Sequence, residues 1–249
     1  MKRNGLAFLV IWMVVFFLPG SYVSAESGEN QTHNPSIHRV AAIIIDPGHG
    51  GRDSGAIGVH EIEGNQIALV EKVIAYNVAK DLFNLLSDAY PDKIINLTRT
   101  DDRFISMQER VDPVYTVPLA NNEIVLHISI HINASFNQDA SGFEVWYLSP
   151  EYHGENNTVA KSILNMLLAK SLLDGLASSI GSEMTSRGIK TEEWFVSRST
   201  PALTALVELG FLTNPHDALL FSEPEFIHTA TLGLRNGIGS FITLIENQE

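Results

Sequence analysis

The chain has 249 residues, 45% of them hydrophobic, which suits one globular domain with a substantial core. Its formal net charge of -13 makes it a poor partner for nucleic acid or for an anionic membrane surface. It contains no cysteine, so disulfides and thiolate chemistry are excluded, and any metal site must use histidine and carboxylate.

Residues 1–25 read as a secretory signal peptide. Lys2-Arg3 supply the basic start, Leu6 to Leu18 the apolar stretch, Pro19-Gly20 the break, and Val23-Ser24-Ala25 the small residues of a cleavage site. The apolar stretch is short for a membrane span, so no stable span is expected after cleavage; an uncleaved N-terminal anchor is the alternative reading. The protein is expected to be exported, to a periplasm or to the extracellular cell wall. Residues 26–38 read as a flexible N-terminal lead, and 39–249 as one domain.

The first strand is expected at Ala41 to Ile45, and it stops at Asp46-Pro47. Glycines then crowd both sides of His49 in Gly48-His49-Gly50-Gly51, a turn that presents the imidazole at a strand end. No third glycine and no Gly-Lys-Ser/Thr follows, so the phosphate-binding turns are excluded. A polar loop from Asp53 to Gly64 carries His60, Glu61 and Glu63. The spacing of Ile67, Val70, Ile74, Val78, Leu82 and Leu85 predicts a helix up to Pro91.

Ile94 to Thr98 reads as a strand, and Ile105 to Val111 as a short helix stopped by Pro113. Further strands are expected at Ile124–Ile130 and Phe143–Leu148, a long helix from Thr158 to about Met184, and a strand at Leu203–Val207. Trp194 to Ser197 reads as a short strand. A capping-box spacing of Ser222 and Glu225 opens a C-terminal helix. Near-continuous apolar strands alternating with helices predict an α/β fold: a single three-layer domain, its mostly parallel twisted sheet covered by helices on both faces.

His49, His131 and Glu208 each follow one of these strands. The carboxyl ends of parallel strands line one rim of the sheet, and ligands bind there. A hydrolytic zinc takes three protein ligands and leaves one position open. Two histidines with Glu61, Glu63 or Glu208 would complete such a set. Glu208 lies between apolar segments, and a carboxylate is not buried there without a partner or a task. His127 reads as a core or edge histidine. His60, His153, His216 and His228 read as surface residues; Asp46, Asp53, Arg99 and Arg110 read as turn-forming or solvated charges, with the orienting of ligands or substrate as the alternative.

The motifs Asp46-Pro47-Gly48-His49-Gly50-Gly51, Ser129-Ile130-His131-Ile132-Asn133-Ala134 and Leu206-Val207-Glu208-Leu209-Gly210-Phe211-Leu212-Thr213-Asn214 resemble those of the zinc-dependent N-acetylmuramoyl-L-alanine amidases, the type 3 amidase family. Glu63-Gly64-Asn65-Gln66-Ile67-Ala68-Leu69 looks like the family's ligand glutamate and the helix after it. The resemblance runs from Ile43 to the C-terminus. It implies one zinc per chain held by His49, Glu63 and His131, with Glu208 as the catalytic carboxylate and Asn133 contacting the site or the substrate.

It further implies hydrolysis of the amide between N-acetylmuramic acid and L-alanine in peptidoglycan. A zinc peptidase acting within the stem peptide, or a non-catalytic wall-binding or activator protein, are the alternative readings. Two departures stand out. Some members carry a helical plug after the strand equivalent to Phe143–Leu148, where this chain has only Ser149 to Asn157, and no appended wall-binding module is evident. Any protein activator or targeting partner is therefore unidentified by the sequence.

Overall fold

A computed structural model describes residues 38–247, except 63, 153, 155 and 156. The expected signal peptide, the lead up to residue 37 and Glu63 thus lie outside the described residues.

Six strands form the central sheet: β1 (Arg39–Pro47), β4 (Ile94–Leu97), β5 (Glu123–Asn133), β6 (Phe143–Tyr147), β7 (Ser186–Thr191) and β8 (Leu203–Phe211). Their order is β4-β1-β5-β8-β6-β7. The pairs β1–β4, β1–β5 and β5–β8 are parallel; β6 runs antiparallel to β8 and parallel to β7. A separate antiparallel hairpin joins β2 (Ile57–Ile62) to β3 (Asn65–Val70).

The helices are α1 (Glu71–Ala89), α2 (Met107–Tyr115), α3 (Val159–Ile180), α4 (Phe195–Arg198), α5 (Pro215–Ser222) and α6 (Pro224–Glu246). The expected α/β layering is present, but its two outer layers are unequal. Ile43, Ile45, Leu126, Ile128, Ile130 and Val207 face the main core with the apolar stripes of α1, α3 and α6. The opposite face holds only a small cluster around Ile44, Val114 and Ala202, under α2 and the segment after α4. By strand alternation that lightly covered face also carries Asp46, Ser129, His131 and Glu208. The heavy layer fixes the strands, and under the thin layer His131 and Glu208 stay partly exposed while Asp46 and Ser129 are buried.

Of the described helices, α3 is long and apolar enough to cross a membrane by length and composition. Its Leu168, Leu172, Leu176 and Ile180 are buried in the main core. Gly175 on α3 meets Gly233 and Gly237 on α6, where a Cβ would collide with backbone.

Several boundaries differ from the sequence reading. Residues 65–70 are strand β3, not the first turn of α1, which begins at Glu71. Ser186–Thr191 is an unanticipated edge strand, and 195–198 is a helical turn, not a strand. Pro113 lies inside α2, which runs on to Tyr115. A capping box does open α2, with Ser106 and Glu109, whereas α6 is capped at Glu223 with no side-chain hydrogen bond and starts on Pro224. β5 and β8 extend past His131 and Glu208, so both residues lie within strands.

Candidate active site

The turn after β1 is held under strain. His49 has φ 57°, a left-handed conformation that few non-glycine residues adopt, and Gly50, Gly51 and Gly55 also have positive φ. Two buried arginines clamp it. Arg110 donates from Nη1 to Asp46 Oδ1 at 2.8 Å and Pro47 O at 3.0 Å, and from Nη2 to His49 O at 2.9 Å. Arg99 donates to Pro47 O at 3.2 Å, Gly48 O at 3.0 Å and Lys72 O at 2.9 Å.

Asp46 is fully buried and also accepts from Thr98 at 2.6 Å and Ser129 at 2.8 Å. Burial pushes the Asp46 carboxyl up, but Arg110 and the hydrogen bonds outweigh it and hold it below its ordinary value. These charges are therefore structural and buried, not solvated. His127 is buried beside them against the Arg110 carbonyl, and burial pushes its imidazole down toward the neutral form.

The clamp aims His49 at His131. Their rings lie 5.0 Å apart, edge to face. Between them reaches Glu71, the first residue of α1, whose position at the helix N-terminus favours a carboxylate. Glu71 Oε1 lies 2.9 Å from His131 Nδ1 and 3.1 Å from His49 Nε2. Its carboxylate is fixed by two backbone donors, Ile132 N at 3.1 Å to Oε1 and Ala56 N at 2.8 Å to Oε2. Burial raises Glu71, yet His131 and His49 prevail and hold it far below the ordinary carboxylate range.

On the other side, Asp53 Oδ1 lies 2.9 Å from His49 Nδ1. A carboxylate behind a histidine fixes the ring and raises its basicity, the usual support for a metal-binding imidazole. Gly48 has no room for a Cβ, because the His131 ring packs directly over its Cα.

His49, Glu71 and His131 can each present one ligand atom, and these atoms lie within 4.8 Å of one another. Two imidazoles and a carboxylate are the donors that a hydrolytic zinc takes. The sequence reading assigned the carboxylate role to Glu63. In the described structure that place is taken by Glu71, and Glu61 sits exposed in β2 opposite Gln66. Glu71 was missed because Ile67 to Val70 read as helix, which put it inside the helix and not at its mouth.

Glu208 completes the arrangement. It stands opposite His131 in the β5–β8 register. Its Oε2 is buried and has no hydrogen-bond partner among the described residues. Burial, then the negative charges of Glu71 and Glu144, push this carboxyl well above its ordinary value. Asn133 accepts from Ala134 N at 2.8 Å and donates to Glu144 at 3.2 Å, so it braces the rim beside Glu208.

The sequence matches the model of the N-acetylmuramoyl-L-alanine amidase family over residues 43–240. It is 31% identical over 214 residues to the N-acetylmuramoyl-L-alanine amidase LytC of Bacillus subtilis, covering 85% of this chain and 37% of LytC. It is 28% identical over 251 residues to the germination-specific N-acetylmuramoyl-L-alanine amidase of the same organism, covering 97% of this chain and 96% of the relative. Among solved structures, the amidase AmiC2 of Nostoc punctiforme superposes with a TM-score of 0.66 at 27% identity, over 81% of this chain and 97% of that one. The matched span contains both histidines, Glu71 and Glu208, and the chain belongs to the type 3 N-acetylmuramoyl-L-alanine amidase family.

Proposed function

We propose that this amidase is zinc-dependent, with His49, Glu71 and His131 as the metal ligands and Glu208 as the catalytic carboxylate. The family activity is hydrolysis of the amide that joins N-acetylmuramic acid to L-alanine in peptidoglycan. The observation that carries the reading is the juxtaposition of the His–Glu–His group with the unpartnered Glu208 Oε2. Zinc in that group would supply Lewis acidity toward the scissile carbonyl and would acidify water.

The chain supplies the rest. Glu71 holds both imidazoles in register, and Asp53 orients His49 from behind. Glu208 Oε2 has an empty hydrogen-bonding position in which to accept a proton from the attacking water. The same oxygen then returns that proton to the departing L-alanine nitrogen. An elevated carboxyl pKa suits both halves of the cycle, because a stronger base accepts more readily while its acid form remains populated. The thin layer on this sheet face gives a polymeric substrate access. Export to the cell wall, with residues 1–25 as signal peptide, fits an enzyme that acts on peptidoglycan.

The test is Glu208→Gln in the mature protein. It should bind zinc like the parent and lose about 10²- to 10⁴-fold in turnover, the range for removal of a general acid–base. Mass spectrometry of digested peptidoglycan should show intact stem peptides starting at L-alanine. Shortened peptides with L-alanine still on the sugar would instead establish a peptidase.

A further inference from the structure

We propose that Arg187 and Lys190 form an anion subsite beside Glu208 that receives a free carboxylate of the substrate's stem peptide. The inference rests on the amidase reading and extends it to substrate selection.

Glu144 is the centre of the argument. It lies on β6 directly opposite Glu208 on β8. Its side chain is 1% exposed, and both oxygens are fully engaged. Oε1 accepts from Asn133 Nδ2 at 3.2 Å and Trp146 Nε1 at 3.1 Å. Oε2 accepts from Arg187 Nε at 2.7 Å and from Lys190 Nζ. Burial pushes Glu144 up, but Lys190 and Arg187 prevail and keep it ionised.

One cation would neutralise this carboxylate, and the fold provides two. Among the described residues, Glu144 is the one carboxylate ion-paired with either of them. The cluster therefore carries a surplus positive charge, within a protein of net charge -13, next to the catalytic carboxylate. Two like charges on a single oxygen repel one another, an arrangement that a further anion would relieve.

The backbone is shaped to produce this convergence. Positions 187 and 190 would point to opposite faces of a regular strand. The β6–β7 register shifts between Phe143 and Val145, where Ser186 and Ile189 are the partners, so β7 contributes an additional residue beside Glu144. Gly188, with φ 84°, lies in that segment. Such a bulge re-aims a side chain, here bringing Arg187 onto the face of Lys190. The two side chains remain 33% and 31% exposed, whereas that of Glu144 is 1% exposed. Lys190 Nζ also lies over the Trp146 ring at 5.1 Å, and Arg187 Cζ over Phe211 at 4.8 Å, so aromatic faces position both charged heads.

A stem peptide meets these requirements, since it carries free carboxylates on the peptide side of the scissile amide. A guanidinium and an ammonium side by side recognise a carboxylate and discriminate against its neutral amide.

The experiment compares two soluble muramoyl peptides that are identical except that every stem carboxylate is free in one and amidated in the other. The readout is the ratio of their kcat/KM values. The parent should prefer the free acid. Arg187→Gln and Lys190→Gln should each lower the ratio about tenfold, the loss of about 1.4 kcal/mol. Lys190→Arg should preserve the preference. Glu144→Gln, which retains both cations, should preserve or increase it.

A parent that shows no preference, or Gln variants that slow both substrates equally, would overturn the subsite and leave the pair a purely structural support for Glu144. Failure of the parent to release a peptide from either substrate would instead overturn the amidase reading, and the subsite with it.

Discussion

Glu71 Oε1 lies 2.9 Å from His131 Nδ1, across 60 residues of chain. The same oxygen also meets His49, so one carboxylate organises both imidazoles. Glu71→Gln should therefore weaken zinc binding by more than about 100-fold, beyond the 10- to 100-fold typical of losing a residue that merely supports a ligand. Glu63→Gln should leave the zinc content of the purified protein unchanged. Metal analysis after dialysis against a weak chelator separates the two. Retention by the Glu71 variant and loss by the Glu63 variant would transfer the ligand role back to Glu63.

The clamp on the His49 turn has its own energetic signature. Arg110→Met leaves the Asp46 carboxylate buried with only Thr98 and Ser129, and releases the carbonyls of Pro47 and His49. Removing one partner of a buried ion pair costs about 3–5 kcal/mol. At about 2–4 °C per kcal/mol for a domain of this size, the melting temperature should fall by about 6–20 °C. Asp46→Asn should cost less, because Arg110 keeps two carbonyl acceptors. A melt of Arg110→Met within about 2 °C of the parent would show that the pair is dispensable to the fold.

His49, His131 and Glu208 were legible because each polar residue interrupts or ends an apolar strand run, and parallel strands bring such positions to one rim. The Asp46 network was not legible. Arginine and aspartate are usually solvated, and only the packed turn shows that Arg99 and Arg110 serve its carbonyls. The β2–β3 hairpin was hidden for a different reason. Ile67, Leu69 and Val70 form too short an apolar set to distinguish strand from helix, and that ambiguity displaced the helix start from Glu71. β7 has the sequence Ser-Arg-Gly-Ile-Lys-Thr, with no apolar run to announce a strand. As an edge strand it needs none, and its charged residues take part in the cluster around Glu144.

Lys161 gives a test of the fold that is independent of the site. It lies on α3, half-buried, and donates to the Thr200 carbonyl. Burial pushes its pKa down from 10.5 to about 8. Below pH 8 the folded and unfolded states are both protonated, and the cost of burying the ammonium is constant. Between pH 8 and about 10.5 the unfolded chain binds more protons than the folded one, so stability from this group rises with pH. The gain at the top of that window is at most about 3 kcal/mol. Lys161→Met removes the titration and keeps most of the side-chain volume. The measurement is urea unfolding of parent and variant from pH 7 to 10.5, taking the difference so that other titrating groups cancel. The difference should move in favour of the parent as pH rises through this window. A constant difference would mean that the amine is solvated in the folded protein and that α3 packs more loosely against the Thr200 segment than the structure shows.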